Sequence, residues 1–93
     1  MLDWTDRRPD VTLDLHGQSV GEAVANAERF LHAQARAWPG DIVRVITGRG
    51  RAGGGAPIRT RVLTLLRAMR DAGKPVRNYV LEESEGSFLV RLQ

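Results

Sequence analysis

The chain has 93 residues, 42% hydrophobic and 27% charged, with 14 basic residues against 11 acidic ones and no cysteine. That length forms one small domain around a single core, and the missing thiols exclude disulfides and zinc–thiolate sites. No apolar run approaches the roughly 18 residues of a membrane span, and residues 1–10 are too polar for a signal peptide, so a cytoplasmic protein without membrane contact is expected.

The net charge of +3 is unevenly spread. Residues 1–43 carry −3 and residues 44–93 carry +6. A basic second half is what a phosphate-binding surface requires. Thirteen of the fourteen basic residues are Arg, which GC-rich codon usage explains as well as phosphate recognition does, so the excess itself carries no weight.

In chain order, residues 1–10 are expected to form an arm and residues 11–93 the domain. Val11 to Leu15 alternate apolar and polar and read as a strand, bounded by Pro9-Asp10 and Gly17. Ser19 and Glu22 have the spacing of a capping box. The helix behind it runs to about residue 37, with Val20, Val24, Ala27, Leu31 and Trp38 along its apolar stripe, and Pro39-Gly40-Asp41 stops it. Ile42 to Ile46 lacks alternation and reads as a buried central strand. A glycine-rich loop spans residues 47–56, Pro57 suits the first turn of a second helix, and Ile58, Val62, Leu65 and Met69 form that helix's buried stripe. Residues 76–81 and 87–92 read as two strands of an antiparallel hairpin.

The order β-α-β-α-β-β predicts an α/β fold, a two-layer sandwich with a mixed four-stranded sheet and both helices on one face. Strand–helix–strand units imply parallel neighbours and right-handed crossovers, with the last strand turning back antiparallel.

Ligands in such sheets collect at the carboxyl ends of parallel strands, and the two unusual segments both fall there. In Leu13-Asp14-Leu15-His16-Gly17, strand alternation sends Asp14 and His16 to one face. An acid and an imidazole there suit proton transfer. The alternatives are a structural histidine bonded to a loop carbonyl and a carboxylate capping a backbone turn. In the loop Thr47-Gly48-Arg49-Gly50-Arg51, glycines let backbone N–H groups converge on an anion. The following helix adds its positive end, and the two arginines add full charges. The loop is neither a Walker A nor a Rossmann motif. His32 reads as surface, Arg59, Arg67 and Arg70 as a solvated helix face, and Trp4 as either a plug on the domain or a base-stacking residue.

The pattern Leu-Asp-Leu-His-Gly, a helix, a hydrophobic strand, then Thr-Gly-Arg-Gly and a second helix resembles the small MutS-related (Smr) domain over about residues 11–93. The resemblance implies endonuclease activity on nucleic acid, DNA for some members and RNA for others. Asp14 and His16 match the family's acid–histidine motif, and Gly48 and Gly50 its Gly-x-Gly motif. Thr47 stands where many members carry His, and Arg49 where many carry Lys. Only Gly86 stands where many carry a richer glycine cluster, so the turn before the last strand is left out of the expected site.

The resulting expectation is phosphodiester cleavage with Asp14 and His16 catalytic, and Gly17, Thr47, Gly48, Arg49, Gly50 and Arg51 holding the phosphate. His16 would be general acid or base, and Gly48 and Gly50 N–H groups with Arg49 and Arg51 would stabilise phosphate charge. RNA supplies its own 2′-hydroxyl nucleophile and needs no cofactor. DNA would make Mg²⁺ on Asp14 attractive. RNA without metal is the favoured reading. The rival is a non-catalytic DNA- or RNA-binding module in repair, recombination or translation quality control, and a small-molecule phosphate enzyme ranks last. Branched nucleic acid and the ribosome are conceivable partners, and oligomeric state is left open.

Overall fold

The computed structural model describes residues 3–48 and 56–93. Its elements are β1 (Val11–Asp14), α1 (Val20–Ala37), β2 (Ile42–Ile46), α2 (Ala56–Asp71), β3 (Val76–Leu81) and β4 (Ser87–Leu92). The α/β class, the element order and the mixed four-stranded sheet agree with expectation. Arg49, Gly50 and Arg51 lie outside the described residues.

Strand order is β1-β2-β4-β3. β1 and β2 are parallel, whereas β4 runs antiparallel to both β2 and β3. The expected parallel neighbours therefore hold for β1–β2 but not for β2–β3, because β4 inserts between them. The reason lies in side chains. In β4 five of six residues are buried, Phe88, Val90 and Leu92 on one face and Ser87 and Leu89 on the other, so the strand is covered on both faces and belongs in the centre. β3 carries exposed Arg77 and Asn78 and a register shift between Val76 and Asn78. The Asn78 side chain also takes the Tyr79 N–H at 2.9 Å. Charge, a bulge and a capped amide blunt it as an edge.

Both helices pack on one sheet face. Ala23, Ala27 and Leu31 of α1 and Ile58, Val62, Leu66 and Met69 of α2 share one core with Val43, Val45, Phe88, Val90 and Leu92. The expected stripes are each corrected by one position. In α1 the seam runs through Ala23, Ala27 and Leu31 while Val20 and Val24 are half-buried, and in α2 Leu66 is fully buried while Leu65 packs on the flank. Leu65 and Leu66 are neighbours of equal hydrophobicity, so only the position of the sheet chooses between them. Trp38 departs further. It caps α1 at φ −137°, donating its N–H to the Gln34 carbonyl, and is 63% exposed rather than on the stripe. The helix has ended there, so helical periodicity no longer aims the side chain.

The Ser19–Glu22 capping box forms as read, with reciprocal bonds of 3.0 and 3.2 Å. In the first ten residues, Trp4–Asp6 make one 3₁₀ turn in which Trp4 is half-buried. Asp10 is tied to β2 by its N–H to the Ile42 carbonyl and by its carboxylate to the Ile42 N–H.

Candidate functional site

The parallel pairing of β1 with β2 sets Asp14 beside Ile46, and Leu15 continues the ladder by donating to the Ile46 carbonyl at 2.8 Å. The next residue on each chain is a site candidate: His16 after Leu15, Thr47 after Ile46. Adjacent strands lie roughly 4.8 Å apart, so the two motifs leave the sheet side by side.

Leu15 is fully buried and His16 exposed, so the alternation in burial runs through His16 although β1 ends at Asp14. The Gln18 N–H bonds back to the Leu15 carbonyl at 3.2 Å, and Gly17 has φ +85°. A four-residue turn with a left-handed third position is the type II pattern, which favours glycine there. Asp14 Oδ1 accepts the His16 N–H at 2.9 Å. The carboxylate therefore caps the turn, one of the two alternatives read from the sequence, although it is exposed. Asp14 and Gly17 together hold His16 at an exposed apex, where the imidazole has no hydrogen-bond partner among the described residues.

Two glycines at this end of the domain should respond oppositely to alanine. Gly17→Ala meets no atom but must hold a positive φ, so unfolding free energy should fall by about 1 kcal/mol. Gly21, exposed in the first turn of α1, also faces open space but has no positive φ. Gly21→Ala should raise stability by about 0.5 kcal/mol. Urea midpoints of the two variants moving in the same direction would refute the assignment.

The start of the glycine loop is built differently from expectation. The Thr47 and Gly48 N–H groups both donate to the Gly86 carbonyl, at 2.8 and 3.0 Å. Thr47 is fully buried, and its hydroxyl lies 3.2 Å from the Gly48 carbonyl and 3.4 Å from that of Gly86. Thr47 and Gly48 thus spend their backbone donors anchoring the start of the loop. The turn between β3 and β4, left out of the expected site, is what holds the loop. Glu85 in that turn has φ +61°, and its carbonyl takes a bond from Arg59 of α2 at 3.0 Å. Arg59 is thus a brace between α2 and the turn.

The family model for the Smr domain matches residues 13–93. The chain belongs to the Smr family. That family has nuclease and nucleic-acid-binding members. No curated protein matches the chain. No helix among the described residues is long and apolar enough to cross a membrane.

No three His, Asp or Glu side chains gather to hold an ion among the described residues. Residues 49–55 contribute only Arg, Gly and Ala, which add no carboxylate or imidazole. One of the two Asp14 oxygens is already committed to the turn.

The Smr domain's sheet face away from the helices carries a second polar group that sequence reasoning missed. Arg44 of β2 binds Glu82 side-on, Nε to Oε1 at 2.8 Å and Nη2 to Oε2 at 2.9 Å, and the Ser87 hydroxyl donates to Glu82 Oε1 at 2.6 Å. The Arg44 bond, with help from Ser87, holds the Glu82 carboxyl below its ordinary range against the opposing effect of burial. The pair's stabilisation is therefore fully present above the ordinary glutamate pKa of about 4.3. It is lost as pH falls below that value through the folded-state pKa. The urea midpoint of wild type should exceed that of Glu82→Gln at pH 6, and the gap should shrink on acidification through that window. A constant gap would show that the pair is not linked to folding.

Proposed function

We propose that this Smr domain is an endonuclease that cleaves RNA by transesterification, with His16 as the general acid or base. The supporting observation is the placement of an exposed His16, held by Asp14 and Gly17, beside the start of the glycine loop on neighbouring parallel strands. Asp14 acts as a positioning residue through the His16 backbone. Arg49, Gly50 and Arg51 are the groups assigned to the phosphate, aided by the N-terminal end of α2, whose first turn contains no acidic residue. Gly17, Thr47 and Gly48 shape the turn and the loop rather than hold the phosphate.

In this reading the 2′-hydroxyl of RNA attacks the adjacent phosphorus, and the 5′-oxygen of the next nucleotide leaves. His16 takes the 2′-hydroxyl proton or protonates the leaving 5′-oxygen, water exchanges the proton at the other oxygen, and the arginines stabilise charge on the non-bridging oxygens. No step requires a metal.

The deciding experiment is gel-resolved cleavage of matched RNA and DNA, single-stranded and branched, in Mg²⁺ or EDTA. RNA cut equally in EDTA, leaving a 2′,3′-cyclic phosphate, is the expected result. Strict Mg²⁺ dependence with 5′-phosphate ends would overturn the transesterification. Binding without cleavage of any substrate would leave a nucleic-acid-binding module.

A further inference from the structure

The Arg44–Glu82–Ser87 group stands apart from the proposed reaction, yet it borders it. On the sheet face away from the helices, pairing sets Asp14 beside Ile46 and Ile46 beside Ser87, and Glu82 continues the row by donating its N–H to the Ser87 carbonyl. Arg44 lies one strand repeat below Ile46. An open groove of about 450 Å³ covers this corner, lined by Arg44, Ile46, Gly48, Glu82, Ser84 and Ser87 together with Gly86. Gly48, in the lining, directly precedes in sequence the residues assigned to the phosphate.

The chemistry of the groove is unlike that of a phosphate site. Glu82 neutralises Arg44, which leaves little net charge to attract an anion. The donors, however, are only partly spent. Glu82 takes the Nε and Nη2 edge of the guanidinium, and Nη1 has no partner among the described residues. The remaining Nη1–Nη2 end is a pair of parallel donors, held in a fixed plane by the two bonds to Glu82. Such a pair fits two adjacent acceptors on one rigid edge, and the commonest nucleic-acid partner of that kind is O6 and N7 of guanine. Adenine puts an amino donor beside N7 and would be repelled. Ile46, half-exposed in the lining, offers an apolar surface for a base.

We propose that this groove is a base-reading subsite that takes a guanine flanking the phosphate held by the glycine loop, with Arg44 as the reader and Glu82 and Ser87 as the groups that orient it. The inference rests on the nucleic-acid reading above and adds a sequence preference to it.

The test uses the full chain and 2′-O-methyl oligouridine carrying one central variable base, a backbone that cannot undergo transesterification. Affinity is read by fluorescence anisotropy. Guanosine and inosine, which share O6 and N7, should bind about tenfold more tightly than adenosine or uridine. The analogue 7-deazaguanosine, which lacks N7, should lose most of that advantage. Arg44→Lys should keep salt-dependent binding and lose the preference, because an ammonium cannot present the paired donors. If that variant fails to fold, the base series on wild type still decides. Equal affinity for all bases, or a preference for cytidine, would overturn the subsite and leave the nucleic-acid reading standing. Failure to bind any of the oligonucleotides would overturn both.

Discussion

His16→Ala should lower the rate of RNA cleavage by about 10²- to 10⁴-fold, the usual contribution of a positioned general acid or base. Folding should be untouched, since the imidazole is exposed and makes no hydrogen bond to the described residues, and surface changes of that kind cost less than about 0.5 kcal/mol. Affinity for RNA should be kept. Asp14 gives the companion experiment. Its Oδ1 accepts the His16 N–H, and an asparagine oxygen can accept the same bond. Asp14→Asn should therefore retain most activity and the wild-type pH–rate profile, whereas Asp14→Ala should lose activity along with the turn. Equal and complete loss in both variants would mean that the carboxylate's charge or a bound ion matters, and the positioning role would be wrong.

Phe88→Ala should cost about 3–5 kcal/mol of unfolding free energy, the largest stability effect expected in this domain. Phe88 is 1% exposed, pairs with Val45 and Leu81 across two strand neighbours, and meets the Tyr79 ring edge-on at 6.4 Å. A 93-residue domain holds on the order of 5–14 kcal/mol in all, so the variant should be partly unfolded near room temperature. Because Phe88 follows Gly86 and Ser87, any folded remainder should also loosen the carbonyl that anchors Thr47 and Gly48. A urea midpoint within measurement error of wild type would show that the site collapses around the missing ring.

The sequence made the elements legible because their signals are local. A capping box, a Gly17 after a short alternation, a Pro-Gly-Asp stop and two apolar stripes each act within one or two turns of chain. The site was legible in outline for the same reason: the two motifs sit at the ends of β1 and β2, and a β-α-β unit obliges those ends to meet. Three readings shifted once the chain was folded. Asp14 Oδ1 accepts the His16 N–H, so the carboxylate caps the turn, while the exposure of Asp14 and His16 around a buried Leu15 keeps the expected alternation. Gly48 gives its N–H to the Gly86 carbonyl, whereas the sequence reading has it available to a phosphate. Trp38 points outward because the helix stops beneath it.

By itself the sequence determined that this chain forms an Smr domain, with an exposed acid–histidine turn and a glycine–arginine loop at one edge of its sheet. The tertiary structure alone decided that β4 lies between β2 and β3. That placement follows from burying Phe88, Leu89, Val90 and Leu92 on two faces at once, which only a central strand allows. It carries the β3–β4 turn across to the glycine loop, 39 residues away in sequence, and Glu82 to Arg44, 38 residues away. Contacts of that range leave no periodic trace along the chain. They exist because hydrophobic burial orders the strands, and the polar groups at the strand ends then bond to whichever neighbours that order provides.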